Sequence, residues 1–580
     1  MKKFGYFVLI LAVVCLIGMV SAEVTTIADN DGNGNAYSTT IAYTDDGELA
    51  ISGVLVTGAD TATVTSGGDD TGLLTSAGNA AVVTGADTFV AGSTATEVGG
   101  SIASTSLVAS GDVDVTEAQG ATTSSVIGGS AAGQASVVSA DSVEATTVAV
   151  AEDGAEAGTT VSAANMDGTI VQGAIGIGLA AAGQAVHTGG ANQELYAETW
   201  AGAGSNYAET TTVADLDTGL ILVYQGAIAD PTLLGGFAAA GQYAQYSGTG
   251  FVGSFTDAEG ANTEAEANII AYTDTGNTMT GAQLQVGATN SDGSIAAQEG
   301  LIAATVGTVN VNAETEAEVE GSEAETEAEA GLRGYAIEFG QVSGATAAGE
   351  VGSAQDTRFT GIGFVETEAE NADGTEVGAF AGSRDDVGYV QTIQMAGADN
   401  TDAAASQVGT VRTPSGSGMM ETWAENGNFP GNYASVGVGV EDGQIYASQN
   451  AQTNYDIESD AFAYQVVAVT GPGGVGNAGY AWTENEAGDA FGNYAAVGTR
   501  VEDGSLIVGL VEPGYAYAGE GYMEANEIET TNGFGASTTQ WASARSFRDR
   551  DRDRESYTGI GTSEAEAHSH VFGHAFAIVI

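Results

Sequence analysis

The chain has 580 residues, with 76 Asp and Glu against 12 Lys and Arg, a formal charge of −64, 86 glycines, five prolines and a single cysteine. A charge of that sign and size excludes nucleic acid as a partner. With 43% apolar and 7% aromatic residues the composition is too apolar for a disordered chain, and its Ala, Val, Thr, Ser and Gly suit closely stacked, rather flat sheets more than a bulky globular centre.

The first 22 residues, MKKFGYFVLILAVVCLIGMVSA, carry two lysines, an apolar core, and Val20 and Ala22 at the small positions before a cut. They predict a signal peptide. Cys15, Lys2 and Lys3 leave with it, so the exported chain has no thiol or disulfide and keeps ten arginines against 76 acids, a formal charge of −66. No later stretch approaches 18 consecutive apolar residues, and no transmembrane helix is expected. The predicted destination is extracellular, either released or held at the cell surface.

A small-residue β-repeat region follows over 23–190. It opens on ADNDGNGNAYSTT (28–40), where Asp29, Asp31, Asn33 and Gly34 have the spacing of a calcium loop while Thr40 stands where such a loop has its bidentate glutamate. A plain Gly/Asn-rich turn is the alternative. There is no aromatic residue between Phe89 and Tyr196, and the tetrapeptide AAGQ stands at 131, 181 and 239, with AAGE at 347.

A Glu-rich β-repeat region spans 191–413, with TEAE at 263, 315 and 367, and looser relatives TWAE at 422 and TENE at 483. In VNAETEAEVEGSEAETEAEAG (311–331) glutamate takes every second position: Glu314, Glu316, Glu318 and Glu320, then Glu323, Glu325, Glu327 and Glu329. A step of two residues scatters side chains around a helix but places them on one side of a strand. The parity flip at Gly321-Ser322 predicts a type II′ hairpin turn there, setting Glu320 opposite Glu323 and Glu314 opposite Glu329. Four opposed carboxylate pairs on one face repel by about 1 to 4 kcal/mol in total. Cations, protons or bulk water must face them, and Ca2+, which favours flexible oxygen cages, is the candidate cofactor.

After TPSGSG (413–418), the region 414–580 holds a duplication: GNYASVGVGVEDGQI (431–445) and GNYAAVGTRVEDGSL (492–506), offset by 61 residues. With the TEAE spacing this gives a repeat of roughly 50 to 60 residues, punctuated by Asp-Gly turns. Trp423 and Trp482 open the two copies and are expected at equivalent places. In SFRDRDRDRES (546–556) a strand would put Arg548, Arg550, Arg552 and Arg554 on one face and Asp549, Asp551 and Asp553 on the other. Either this is a solvated polyampholyte linker, or the arginine row docks on an acidic face during assembly.

Catalytic constellations are missing from the sequence. There is no G-x-S-x-G motif and no cysteine after the signal, and three of the four histidines, His568, His570 and His574, cluster in HSHVFGH near the C-terminal end. The expectation is a non-enzymatic, all-β protein, an elongated stack of repeated strand-turn modules, β-solenoid-like or built of stacked flat sheets in a cross-β manner.

In its signal segment, its composition and its GNYA/VEDG repeat style, the chain resembles the sheath and surface-layer structural proteins of methanogenic archaea, which assemble into amyloid-like tubes. The resemblance implies self-association through β-strands into a resistant extracellular sheath or surface coat, with copies of itself, other envelope proteins or glycans as partners. A β-solenoid adhesin or glycan-binding surface protein is the alternative reading.

Overall fold

The computed structural model describes the backbone of residues 23–576 apart from short connections between strands, and describes side chains chiefly from 130 to 454. Residues 1–22, Asp31, Asn33, Arg548, Arg550 and Arg552 lie outside the described residues, whereas Asp29 and Arg554 fall in strands whose backbone alone is described. All regular structure is β, in repeated strand-turn modules, with no α-helix among the described residues. Where side chains are described, the alternation of small apolar and polar residues leaves one face of a strand buried and the other open, the pattern of a sheet packed on one side. Two compact units divide the chain, one formed by Met1–Asn262 with Tyr272–Ser291, the other by Thr263–Ala271 with Asp292–Ile580.

After a first strand, Glu23–Asn30, that pairs antiparallel with Asn35–Tyr43, the first unit continues as a parallel coil. Strands Asn35–Tyr43, Thr61–Asp69, Thr88–Glu97 and Asp114–Thr123 stack in register, Asn35 on Thr61, Thr61 on Thr88 and Thr88 on Asp114, one turn every 26 or 27 residues. A second parallel column runs through Glu48–Thr57, Thr75–Thr84 and Ser101–Ser110. The strand Ser130–Val150 then receives both columns, its first half pairing with 101–110 and its second with 114–122. From there the chain turns back on itself, and long antiparallel strands follow: Glu156–Gly176, Ala180–Ala203, Asn206–Asp230 and Phe237–Glu259.

Each of these strands is long enough to serve two sheets. Near its middle the register slips, between Ala164 and Gly168 and again between Leu216 and Gly219, and the local residues are those that tolerate unusual backbone: Asn165 and Asn192 have φ of 53° and 51°. Gly219 is required for a steric reason as well, because a Cβ there would sit 1.7 Å from the Ser247 carbonyl oxygen. The two halves of each strand lie in facing sheets that share a core of alanines, among them Ala149, Ala157, Ala182, Ala201, Ala208 and Ala227.

A glutamine stands at the same height in every strand of one sheet. The register sets Gln134 opposite Gln172, Gln172 opposite Gln184, then Gln184 with Gln225, Gln225 with Gln242 and Gln242 with Gln285. These side chains are buried. Gln172 Nε2 donates to Gln184 Oε1 (3.1 Å), Gln184 to Gln225, Gln225 to Gln242 (3.2 Å) and Gln242 to Gln285 (2.6 Å), so the amides form a chain running across the strands. The same amide nitrogens also donate to carbonyl oxygens of the facing sheet: Gln172 to Ala145 (3.2 Å), Gln225 to Ala197 (3.0 Å) and Gln242 to Phe255 (2.8 Å). From Gln172 to Gln285 the stacked amides satisfy one another and tie the sheets together across a narrow, small-residue core, while the Gln134 amide, at the end of the column, has no hydrogen-bond partner.

The second unit repeats the plan with shorter strands. One sheet runs through Gly293–Ala304, Ala336–Thr346, 351–361, 388–398, Asp402–Arg412 and Gln444–Asn454. Its register aligns Gln298, Gln341, Gln355, Gln394, Gln407 and Gln449 in a second column. The facing sheet runs through Thr308–Val319, Ser322–Arg333, 363–371, 375–384, Ser417–Asn426 and Asn432–Glu441. Ala317, Val319, Ala369, Ala398, Ala405 and Ala424 are among the residues that fill the space between.

The module is therefore a strand in the glutamine sheet, two in the other sheet and a return. Gln298, Gln355 and Gln407 each begin one, 52 to 57 residues apart by their numbering, which is the repeat expected from the sequence. The two GNYA copies occupy matching strands, Asn432–Glu441 and Asn493–Glu502, and Thr422 and Thr483 pair with Val436 and Val497 at the same register. Trp423 and Trp482 are not equivalent: Trp423 pairs with Ser435 and Trp482 with Gly498, so Trp482 sits two residues earlier in its copy. AAGE departs from the AAGQ pattern, since Glu350 lies in the turn after Ala336–Thr346, where its backbone bonds Thr346.

Candidate functional site

The outer face of the second unit's other sheet carries the glutamates. In Thr308–Val319 and Ser322–Arg333 the residues Ala313, Thr315, Ala317 and Val319, and Ala324, Thr326 and Ala328, point inward and are buried. The Thr315 and Thr326 hydroxyls meet at 2.5 Å, and Thr315 also bonds the Ser343 hydroxyl at 2.8 Å. Packing of these small residues fixes the parity, so each intervening glutamate must face outward.

The hairpin closes one residue earlier than the sequence suggested. Its turn residues are Glu320 and Gly321, with φ of 53° and 86°, the two positive values of a type I′ turn, whose twist matches that of the strands. Val319 pairs with Ser322, and the opposed carboxylates are Glu318 with Glu323, Glu316 with Glu325 and Glu314 with Glu327. Three pairs replace the four expected. Glu320 is taken into the turn, and Glu329 stands opposite Asn312.

Further strands extend these rows. Glu370, Glu368 and Glu366 lie opposite Glu323, Glu325 and Glu327, Glu376 opposite Glu370 and Glu425 opposite Glu376. On the other flank the strand Thr263–Thr273, which carries Glu264 and Glu266, pairs with Thr308–Val319. All of the TEAE copies thus present their threonine and alanine inward and their glutamates outward. Trp423 lies across this face. Its indole Nε1 donates to Glu376 Oε1 at 3.4 Å, and its ring rests against Gly378, where a Cβ would come within 2.0 Å.

Crowding changes the acidity of the carboxyls. Burial, and then the charges of Glu323 and Glu266, push Glu316 up to about 7. Burial and the neighbours Glu314 and Glu323 push Glu325 up to about 7 as well. Glu368 rises to about 8 through burial and through the charge and hydrogen bond of Glu376. Glu314, Glu323, Glu327 and Glu366 also rise, in each case chiefly through burial. Near neutral pH the face is therefore partly protonated, and neighbouring carboxyl and carboxylate groups can share protons.

The corresponding sheet in the first unit handles its acids differently. Tyr196 donates to Glu198 Oε2 (2.9 Å) and Tyr207 to Glu209 Oε2 (2.5 Å). Burial and the adjacent glutamates push the Tyr196 hydroxyl up to about 12. Those phenols stay protonated and serve as donors.

Glu323, Glu325, Glu368 and Glu370 line a cleft on the acidic face, and their hard oxygen donors are of the type that suits Ca2+. The structure brings together Glu314, Glu316, Glu318, Glu323, Glu325 and Glu327 from the sequence-derived set and adds Glu366, Glu368 and Glu370. The signal for the additions was the TEAE at 367. No helix among the described residues is long and apolar enough to cross a membrane, which leaves strand-built membrane proteins unaddressed. Compared with known proteins, the chain matches no family model, no curated sequence and no solved structure.

Proposed function

We propose that the chain is an exported structural protein that self-assembles through its β-strands into an extracellular sheath or surface coat, without enzymatic activity. The observation that carries this reading is the pairing of a small-residue core with columns of cross-strand glutamines. It is the packing that gives stacked-strand materials their stability, since side-chain amides bond along the stack in the same direction as the backbone ladder. Long antiparallel strands with few bulky residues suit a repetitive wall more than a binding cavity. The resemblance to archaeal sheath and surface-layer proteins, in composition and repeat style, agrees with this role. In it the acidic face acts as a condition-sensitive surface, repulsive when ionised and compatible with close packing once protons or divalent cations neutralise it.

Electron microscopy and fibre diffraction of the purified protein, with residues 1–22 removed, test the proposal. Filaments, tubes or sheets with reflections near about 4.7 Å and about 10 Å are expected. Monodisperse particles at every concentration, with no ordered assembly between pH 4 and 8, would overturn it.

A further inference from the structure

The first unit's glutamine sheet has an outer face of unusual character for so acidic a chain. Four rows of outward side chains cross its six strands: Ser130–Val150, Glu156–Gly176, Ala180–Ala203, Asn206–Asp230, Phe237–Glu259 and Met279–Asn290. One row reads Ala131, Ile175, Ala181, Ile228, Ala239 and Ala288. A second reads Ala135, Val171, Ala185, Tyr224, Tyr243 and Leu284. Large apolar members are well exposed, with Val171 at 52%, Tyr224 at 50% and Ile175 at 48%. The outermost row reads Val137, Thr169, His187, Leu222, Gln245 and Ala282, and His187 is the only ionisable side chain in the four rows, tyrosines aside.

Between the first two rows runs a trough of glycine over five strands, Gly133, Gly173, Gly183, Gly226 and Gly241, each opposite the next, closed on the sixth strand by Val286. Internal packing does not demand it. A Cβ on Gly183 would approach nothing closer than the Gln225 carbonyl oxygen at 3.4 Å, and one on Gly226 nothing closer than the Ala182 carbonyl oxygen at 3.8 Å. Outward glycines in a strand admit close approach of a second backbone, and the apolar ridges beside them supply area to bury.

We propose that this face is where a second copy of the chain docks, sheet on sheet, with the ridges of one copy set into the glycine trough of the other. The inference rests on the self-assembly reading and names its surface. Six strands at about 4.8 Å and eight residues at about 3.3 Å give a patch of roughly 29 by 26 Å, about 750 Å2 in projection, close to the ~800 Å2 per partner that stable interfaces bury. Charge favours the same occupant. Two mature chains of −66 repel through their acidic faces, and an uncharged face is where like copies can approach closely. A two-fold arrangement makes the patch its own complement, trough against ridge.

Sedimentation velocity and electron microscopy of the full mature chain test this with two variants, Gly183→Val with Gly226→Val, and Tyr224→Glu with Ile228→Glu. The first fills the trough at positions where a side chain has room and strand propensity rises, so the fold is kept and melting is unchanged. The second charges the ridge. Each is expected to raise the concentration needed for assembly at least tenfold while the β-type circular dichroism stays that of the wild type. Variants that keep the wild-type dichroism and assemble at the wild-type concentration overturn the docking face and leave self-assembly standing. A wild-type chain that stays monomeric throughout overturns both, and if that monomer binds neutral phosphatidylcholine vesicles through Tyr224, the face belongs to a lipid surface.

Discussion

Gln242 donates its side-chain amide to Gln285 at 2.6 Å from directly across an antiparallel pair, and both residues are buried. Neither glutamine would be stable in such a core alone, since an unpartnered buried amide costs about 1 to 3 kcal/mol. Each is retained because the next strand supplies the complementary group, so the stability of the column depends on its continuity.

Interrupting that column has a defined effect. Gln225 accepts from Gln184 and from Thr199 (3.2 Å) and donates to Ala197, Thr212 (3.1 Å) and Gln242. Gln225→Ala leaves the Gln184 amide and the Thr199 hydroxyl without that acceptor and opens a cavity. A loss of about 2 to 4 kcal/mol is expected, read as a lowered urea midpoint. Substitution of the exposed Gln245, outward on the same sheet, is expected to change the midpoint little.

The crowded glutamates set the sign of the pH dependence. Their pKa values are raised in the folded state, Glu316 and Glu325 to about 7 and Glu368 to about 8, above the 4.5 of a free glutamate. The folded state therefore binds more protons than the unfolded one between those values, and stability falls as pH rises through that window. The melting temperature is expected to rise as pH is lowered from 9 to 5. Glu316→Gln, Glu325→Gln and Glu368→Gln together are expected to flatten the profile and raise its alkaline end, which a series of thermal melts measures.

Assembly is expected to follow the same charge. Lowering pH from 8 towards 4.5, or adding millimolar calcium at pH 8, is expected to lower the concentration at which wild-type protein assembles. Replacing Glu316, Glu318, Glu325 and Glu327 by glutamine is expected to remove most of the response to both. Light scattering over the pH and calcium series reads this, and equal responses from the two proteins would reduce the acidic face to a solvating surface.

The turn offers a stabilising change. Glu320 holds a left-handed backbone at φ 53°, a conformation that costs a non-glycine residue about 1 to 2 kcal/mol and that asparagine and glycine adopt more readily. Glu320→Asn is expected to stabilise by about 0.5 to 1 kcal/mol and to remove one charge. Gly321→Ala, at φ 86° with open space around its Cβ, is expected to destabilise by about 1 kcal/mol through backbone strain alone. Chemical denaturation distinguishes the two.

The strand reading of residues 311–331 was legible because alternation is a local signal, and the shared face of the glutamates followed from it. The turn position was not. Closing the loop at Glu320-Gly321 or at Gly321-Ser322 leaves every side chain on the same face, so alternation cannot choose between them. The choice depends on the inward stacking of Thr315 on Thr326 and on the next strand, where Thr367 stands opposite Thr326. The glutamine columns were hidden for a related reason. AAGQ at 131 and 181 was visible, but its partner is QGAI at 172 and 225, the same residues met in the opposite direction, and a polar residue recurring every few dozen positions carries no local period. The mid-strand slips at Ala164 and Leu216 left no signal beyond an Asn or Gly among many.

A strand such as Ala180–Ala203, continuous through both sheets of its unit, has a mechanical consequence. Tension along its length loads the hydrogen bonds to both neighbours in shear and all together, because no flexible loop at the crossover can extend first. Force applied across the strands opens the same bonds one after another. The unit resists stretching along its strands far more than peeling between them, an anisotropy set by the path of the chain.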